Sequence, residues 1–323
     1  GRFVVLDAVR GVGRVVLRRG DSKVNVDVTS FEGDILDDLS RRDFTINAIA
    51  IPLEMSVNSD WRNQILDPHG GVSDIKRGLV RMVRPDVFQD DPGRLLRTVR
   101  LAAVLGFRIE EDTAHAVSCH AHLLSKASGE RLREEFLTIL ESQDARHWIY
   151  VLDKLGLLTE LIPELDLGRG VSQPAEHYWT VMEHNIETVG AVEQLLERKS
   201  GTENFELKIP WNADVEEHFA TVRRDGHNRK TLIKLVGLLH DIAKPETKTL
   251  EDNGRIRFLG HAEKGSEMVT KIMNRLRFSS RDNDLAGLMV KHHLRPGQLT
   301  QKGARPTGRA IYRYFRDLGD AAI

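Results

Sequence analysis

The stretch from residue 90 to residue 100 carries the side chains best suited to do chemistry. Two acids, Asp90 and Asp91, precede a proline. Three arginines follow at steps of three: Arg94, Arg97 and Arg100. Acids suit the N-terminus of a helix, and residues three apart lie on one side of it. The pattern therefore predicts a helix that presents carboxylates and fixed cations to a cleft, with a solvated charged face as the alternative.

A second polar stretch lies near residue 42. Two arginines stand beside an aspartate, and an asparagine follows four residues later. Arg42 can clamp phosphate oxygens with two parallel hydrogen bonds. Asp43 and Asn47 can bind sugar hydroxyls or each other. The alternative is a helix N-terminus with a local salt bridge. A following segment at 67–74 predicts a turn and then a short helix.

The elements around these stretches change character along the chain. Runs rich in β-branched residues predict strands at 3–6, 14–17 and 24–28. Asp27 sits in the middle of the third run, where an acid is disfavoured. Asp27 is therefore either on the solvent-exposed face of an edge strand or a metal ligand. Amphipathic periodicity predicts helices at 113–124, 130–141 and 145–155, and glycines near residue 169 indicate a domain boundary.

Histidines and an aspartate form another set in the second half of the chain. Together they suit a divalent metal with water as the nucleophile, and they are His184, His240, Asp241, His261 and His292. For His177 and His293 we expect an ordinary core position. The polar segment 197–230 is expected to be a surface loop. The basic stretch 302–316 suits either an RNA backbone or an ordinary amphipathic helix.

Composition limits the remaining choices. The 323 residues are 40% hydrophobic and 29% charged, which is typical of a soluble protein with more than one domain. The formal net charge of −1 excludes a globally basic nucleic-acid binder but permits a local basic groove. The single Cys119 fits a reducing, cytoplasmic location. No apolar run reaches membrane-span length. Both chain ends are expected to be truncations.

The polar stretches resemble the motifs of one family. Residues 41–48 resemble the RRDxxxNA motif of class II tRNA nucleotidyltransferases and bacterial poly(A) polymerases, and 67–74 resemble the segment that follows it. Residues 90–97 resemble the EDxxR motif and 130–135 the ERxxxE motif. The resemblance covers residues 1 to about 165. The histidine set resembles an HD phosphohydrolase domain, although its usual distal aspartate ligand is not evident.

This resemblance implies roles for particular residues. Arg42 would contact the triphosphate, with Asp43 and Asn47 near the ribose. Asp91 and Arg94 would read the base edge of CTP or ATP. A final set would support the base-reading pair or the phosphates: Arg97, Arg100, Glu130, Arg131 and Glu135. Asp27 would be the accessory carboxylate next to the catalytic metal site.

The sequence departs from the family pattern in three places. Asp90 replaces the usual Glu. Gly93 stands where a larger residue is usual, inside a predicted helix in which glycine costs roughly 1 kcal/mol. The family's glycine-rich motif and Asp-x-Asp metal pair precede the segment that begins here. The Mg²⁺ site is therefore mostly missing, and the chain as given is not expected to polymerise.

We expect an α+β fold in three parts: a partial nucleotidyltransferase head at 1–60, a helical neck that binds bases and RNA at 61–167, and a helical HD domain at 168–323. The expected activity is metal-dependent addition of CCA from CTP and ATP to the 3′ end of tRNA. The alternatives are a poly(A) polymerase or a partial enzyme that adds only C or only A. From other classes, an HD-domain phosphohydrolase with a divalent metal and a non-catalytic binding fragment also fit.

Overall fold

The computed structural model describes residues 2–8, 11–19, 22–31, 33–53, 61–174, 178–196, 213–222, 226–300 and 305–322. The chain divides into two compact units. The first contains Gly1–Arg77 and Arg81–Val87, and the second contains Gly78–Val80 and Phe88–Ile323.

An antiparallel sheet opens the first unit. Its strands are hydrogen-bonded in the order β1-β2-β3 and are β1 (Arg2–Asp7), β2 (Val12–Arg19) and β3 (Ser22–Thr29). The three predicted strands are confirmed, because runs of β-branched residues favour the pleated backbone. In the pairing of β2 with β3, Arg14 lies opposite Asp27.

Two short helices and a 3₁₀ turn that concern the candidate site follow the sheet in the first unit. They are α1 (Ile35–Ser40), the turn Thr45–Asn47 and α2 (Gly71–Arg77). Asp67 caps α2, because its carboxylate accepts from the backbone N–H of Gly71 at 2.6 Å. Buried Asp74 in α2 accepts from Thr45 Oγ1 at 2.7 Å and from Arg81 Nε at 2.8 Å. This carboxylate ties α2 to the turn that follows the Arg42–Asp43 pair.

Helices dominate the second unit, and the predicted α+β class is confirmed. A short parallel pair, β4 (Leu79–Val80) and β5 (Arg108–Ile109), lies beside the early helices. The helices as far as residue 161 are α3 (Val87–Asp90), which begins at the unit boundary, α4 (Arg94–Leu105), α5 (Glu111–His120), α6 (Gly129–Glu141), α7 (Ala145–Lys154) and α8 (Leu157–Leu161).

The later helices surround the histidine set. They are α9 (Val181–Leu196), α10 (Ala213–Ala220), α11 (Arg229–Leu239), α12 (His261–Arg275), α13 (Ser280–His292), α14 (Arg295–Leu299) and α15 (Gly308–Leu318). A hairpin of β6 (Lys248–Leu250) and β7 (Ile256–Phe258) precedes α12. No helix in the described ranges is both long and apolar enough to cross a lipid bilayer.

A buried ion pair joins the early and late helices of the second unit. Lys234 of α11 lies 2.8 Å from Glu193 of α9, and both side chains are only 8% exposed. Lys234 also donates to the carbonyl of Leu140, and Glu193 accepts from the N–H of Ala145. These bonds hold α9 and α11 against the connection between α6 and α7.

Two expectations for the later segments need comment. The expected surface loop at 197–230 is corrected, because the segment contains α10, whose Phe219 is buried, and its last two residues begin α11. Residues 197–212 and 223–225, and His177, lie outside the described residues. The basic stretch predicted as helix-like at 302–316 contains α15, with residues 301–304 outside the described part.

Candidate nucleotide-binding site and candidate metal centre

The Arg42–Asp43 pair lies between α1 and the 3₁₀ turn. Asp43 is 7% exposed, and its Oδ1 accepts from the N–H of Phe44 at 2.8 Å and from Asn47 Nδ2 at 3.1 Å. Arg42 Nη2 lies 2.6 Å from Asp38 Oδ2, and the Arg42 side chain is 47% exposed. Exposed ion pairs contribute only about 0–1 kcal/mol. A phosphate group could therefore exchange with Asp38 on this guanidinium at little cost.

Asp91 is held by an arginine forty residues away in the chain. Arg131 of α6 donates Nη1 to Oδ1 at 2.6 Å and Nη2 to Oδ2 at 2.7 Å, which is a bidentate pair. Asp91 Oδ1 also accepts from the N–H of Gly93 at 3.1 Å. Arg94 Nε lies 3.9 Å from Asp91 Oδ2. The structure thus places a fixed acceptor beside a donor at the start of α4.

The other arginines of α4 meet a second carboxylate of α6. Glu135 is buried, and its Oε1 accepts from Arg97 Nε at 3.1 Å while its Oε2 accepts from Arg100 Nε. Arg94 begins this row of arginines, and the row is held to α6 at Asp91–Arg131 and again at Glu135. Hydrogen bonds to a buried charge of this kind contribute about 1.5–3 kcal/mol each. Glu135 is therefore a strong link between the two helices.

Glu130 differs from its expected supporting role. Its carboxylate lies 3.8 Å from Arg277 Nε, and its side chain is 60% exposed. As the first acidic residue of α6, it lies one position before Arg131, so the helix directs it away from Asp91. In the described residues, Arg131 and Glu135 rather than Glu130 contact the acidic and basic residues of 90–100.

The environment of Asp91 keeps the carboxylate ionised. Burial raises the pKa of Asp91, but the hydrogen bonds and charge of Arg131, with the N–H of Gly93 and the charge of Arg94, outweigh burial. The net effect holds the pKa below its usual range. An ionised carboxylate is an acceptor only, so Asp91 can accept from an amino group but cannot donate to a carbonyl.

Asp27 is paired with an arginine of the neighbouring strand. It is exposed on β3, and Arg14 of β2 pairs with both of its oxygens, at 2.5 and 2.8 Å. Hydrogen bonds from Arg14 hold the pKa of Asp27 below its usual range. The described residues bring no second carboxylate into a metal-binding group with it. As the accessory carboxylate of a Mg²⁺ site, Asp27 is therefore unsupported by this part of the chain.

The histidine set forms the candidate metal centre around Asp241, which is 3% exposed. Asp241 Oδ2 lies 3.2 Å from His184 Nε2 and 3.0 Å from His240 Nε2. Asp241 Oδ1 lies 3.3 Å from His261 Nε2 and 3.5 Å from His293 Nε2. The ligand atoms form two groups that share Asp241, each with all atoms within 4.8 Å of one another.

The histidines are oriented by backbone carbonyls. The Nδ1 atoms of His240, His261 and His293 lie 2.8, 2.6 and 2.7 Å from carbonyl oxygens. A neutral ring that donates from Nδ1 carries a lone pair on Nε2, which is the arrangement found in metal-binding histidines. Asp241 Oδ1 is buried and lacks a hydrogen bond of good geometry. Converging lone pairs and a buried orphan oxygen fit a divalent cation.

The electrostatics of this cluster move the pKa values of Asp241 and His261 in opposite directions. Burial raises the pKa of Asp241, but hydrogen bonds from the four surrounding histidines outweigh burial and hold the pKa far below its usual range. Burial lowers the pKa of His261, but its hydrogen bond to Asp241 and the carbonyl of Phe258 more than compensate and raise it. A charge that draws protons onto imidazole would draw a metal ion in the same way.

Two expectations are corrected here: His292 as a metal ligand and His293 as an ordinary core residue. The structure places the His293 ring next to Asp241. The His292 ring has a different environment, in which burial and the charges of Arg295 and Lys291 lower its pKa. Neighbouring helical residues point about 100° apart. Buried Ala286 and Val290 lead to position 293 by helical steps of four and three. This periodicity of buried residues is the sequence signal that favours His293 over His292 as the ligand.

Lys244 and Gln173 were not singled out from the sequence as site residues. Lys244 Nζ lies 2.7 Å from Asp241 Oδ2 and donates to Gln173 Oε1 at 2.7 Å. Its ammonium also lies 5.4 Å above the Phe258 ring, within cation–π range. Lys244 is thus a buried positive charge fixed beside the candidate ligand set. Its spacing of three from Asp241 on a helical turn was the signal that could have indicated it.

Comparison with known families matches three segments. "Poly A polymerase head domain" matches residues 15–81, "Probable RNA and SrmB- binding site of polymerase A" matches 106–167, and "HD domain" matches 181–318.

Similar proteins agree with these matches. The chain is 35% identical over 300 residues to the A-adding tRNA nucleotidyltransferase of Deinococcus radiodurans, covering 91% of this chain and 59% of the relative. It is 30% identical over 302 residues to the CC-adding tRNA nucleotidyltransferase of Thermus thermophilus, with the same shares. The chain thus spans less than two thirds of these relatives' length.

A solved structure shares the fold. The Thermotoga maritima CCA-adding enzyme complexed with tRNA matches at a TM-score of 0.62 and 22% identity, covering 100% of this chain and 62% of that one.

Proposed function

The chain belongs to the family of tRNA nucleotidyltransferases and bacterial poly(A) polymerases with an HD domain, and from that premise we propose that it selects nucleotides for addition of CCA to the 3′ end of tRNA. The observation that carries this proposal is the Asp91–Arg94 pair. An ionised acceptor held by Arg131 lies beside a guanidinium donor. CTP, ATP and the tRNA 3′ end are the proposed ligands.

The chemistry of the bases supports this choice of nucleotides. On the Watson–Crick edge of cytosine and adenine, an exocyclic amino donor adjoins a ring-nitrogen acceptor. Uracil and guanine present a carbonyl acceptor beside a ring N–H donor instead. A carboxylate acceptor next to a guanidinium donor complements the first arrangement, and each well-made pair of this type discriminates by about 1–3 kcal/mol. Arg97 and Arg100, held by Glu135, keep α4 in place and add positive charge for phosphates.

Other residues have proposed roles within the same activity. In the first unit, Arg42 binds the triphosphate, and Asp43 with Asn47 binds the ribose. The family is metal-dependent, and Mg²⁺ is the proposed ion for the nucleotidyl transfer. Because Asp27 is paired with Arg14, no step of that transfer is assigned to residues of this chain. The proposed domains are the nucleotidyltransferase head at 1–60, the helical neck at 61–167 and the HD domain at 168–323. The proposed location of the protein is the cytoplasm.

Nucleotide binding by the chain itself tests the proposal. Titration calorimetry with CTP, ATP, UTP and GTP should show tighter binding of the two amino-bearing nucleotides. Asp91→Ala should remove that preference. Asp112→Ala, which changes an exposed acid at the start of α5, is the matched control. Equal affinity for all four nucleotides in the unaltered protein would refute the base-reading role.

Extension of tRNA separates the members of the family. The protein is incubated with a tRNA that lacks CCA and with CTP or ATP, singly and together. Addition of two C and one A supports the proposal. Long A tails would indicate a poly(A) polymerase, and addition of C alone or A alone would indicate a partial enzyme.

The metal centre supports a second activity, hydrolysis of a phosphate ester by the HD domain. His184, His240, Asp241, His261 and His293 are the proposed ligands. A bound divalent ion there would lower the pKa of a coordinated water and polarise a phosphoryl oxygen. Binding of Mn²⁺, Mg²⁺ or Ni²⁺ and hydrolysis of a phosphodiester, both lost in His240→Ala, would support this activity. Metal binding without hydrolysis would leave a structural ion.

A further inference from the structure

Gly93 lies directly beside the guanidinium group of Arg131. It is the N-cap of α4, with φ −62° and ψ −20°, so its backbone conformation does not require glycine. A Cβ atom at this position would lie 2.5 Å from Arg131 Nε and 2.6 Å from Cζ. The requirement for glycine therefore comes from the path of the Arg131 side chain to Asp91.

The Arg131 contact limits which acceptor Asp91 offers. An ionised carboxylate has about four lone-pair positions. Among the described residues, Oδ1 accepts from Gly93 N–H and Arg131 Nη1, and Oδ2 accepts from Arg131 Nη2. The lone pair that remains is on Oδ2, the oxygen nearer to Arg94 Nε. The carboxylate thus offers one acceptor beside one donor.

We propose that Gly93 is a specificity-determining position, because it allows Arg131 to hold Asp91 with a single acceptor next to the Arg94 donor. The inference rests on the proposed function, in which this pair reads the base. One acceptor next to one donor fits the amino group and ring nitrogen of cytosine or adenine. A carboxylate released from Arg131 would turn and accept equally well from the ring N–H of uracil or guanine.

The departure of Gly93 from the family pattern then has a physical reason. A larger residue would push Arg131 aside or move the start of α4. Because the N-cap lies outside the helix interior, glycine there also costs little helix stability relative to Ser, Asn or Asp. Gly93 therefore leaves space for the Arg131–Asp91 contact at little cost to the stability of the helix.

Gly93→Ala tests the proposal with every polar side chain of the cluster retained. The new methyl group displaces the flexible end of Arg131 more easily than it displaces backbone. We expect the UTP-to-CTP and GTP-to-ATP ratios of dissociation constants to fall roughly ten-fold, within the discrimination that one paired contact supplies. Gly297→Ala is the control, since a Cβ atom there meets nothing within 4 Å, and its ratios should stay unchanged.

A double-variant cycle shows whether Gly93 acts through Arg131. Arg131→Met should lower the same ratios, and adding Gly93→Ala to it should change nothing further. Arg131→Lys keeps the positive charge but loses the two parallel N–H donors of the guanidinium. This variant should stay folded and should lower the same ratios of dissociation constants. Additive losses, or unchanged ratios in Gly93→Ala, would overturn the inference. If the unaltered protein binds all four nucleotides equally, the proposed function itself fails, so the two failures are distinguishable.

Discussion

Asp91 and Asp241 are carboxylates of the same unit whose charges are balanced in opposite ways. The Asp91 side chain is 29% exposed, and the guanidinium of Arg131 covers both of its oxygens. The Asp241 side chain is 3% exposed and is surrounded by imidazole nitrogens. An arginine is charged at every pH at which proteins fold, whereas an imidazole oriented by a carbonyl carries a lone pair.

This difference separates a hydrogen-bonding site from a metal site. Asp91 has its counter-charge built in and stays available as an acceptor without any added ion. Asp241 has Lys244 on one oxygen, and its Oδ1 lies among histidine nitrogens without a hydrogen bond of good geometry. A buried charge is costly unless it is both paired and hydrogen-bonded. The charge of Asp241 is therefore balanced by a bound cation or by protons on the histidines. The charge of Asp91 is balanced by Arg131 alone.

The largest expected effect is on metal affinity. Asp241→Asn should weaken Mn²⁺ binding by more than roughly 100-fold, since even residues that only orient ligands are worth about 10–100-fold. Asp91→Asn should leave Mn²⁺ binding unchanged, because Asp91 is balanced by Arg131. Calorimetric titration of both variants with Mn²⁺ makes the comparison. Equal loss in the two variants would contradict the distinction drawn between the carboxylates.

Two adjacent histidines sharpen the same comparison. His293→Ala removes a nitrogen 3.5 Å from Asp241 Oδ1 and should reduce Mn²⁺ affinity by about 10–100-fold. His292→Ala is the matched control, because its ring is influenced by Arg295 and Lys291 instead, and affinity should stay within two-fold or so. The reverse outcome would restore His292 as the ligand.

The sequence predicted what local periodicity controls and missed what depends on long-range contacts. The i, i+3 spacing indicated that Arg94, Arg97 and Arg100 share a helix face, and the structure agrees. The bidentate pairing of Asp91 joins residues forty positions apart, which no local pattern specifies. His292 and His293 differ by one residue, and the steps of four and three from Ala286 through Val290 favour His293, a periodicity that the prediction of His292 did not use. These contacts depend on how helices pack, and packing is settled across the whole unit.

A smaller effect is expected on folding stability. Arg131→Met leaves the partly buried Asp91 carboxylate without its main partner and should lower the free energy of unfolding by about 1 kcal/mol, discounted for its exposure. Lys264→Met breaks an ion pair whose side chains are 44% and 37% exposed and should cost only about 0–0.5 kcal/mol. Urea denaturation of both variants measures the difference. Equal values would show that Arg131 adds little to stability.

The smallest effect is a pH dependence that belongs to Asp91. Because its folded pKa is lowered, its stabilisation is fully present above the unfolded value of roughly 3.9 and is lost as pH falls through the folded pKa. The stability gap between the unaltered protein and Asp91→Asn should therefore shrink between about pH 5 and pH 2. Urea denaturation at several pH values measures it. A gap that stays constant would mean that Arg131 does not distinguish the ionised from the protonated carboxyl, and Asp91 would then no longer be the self-balanced counterpart of Asp241.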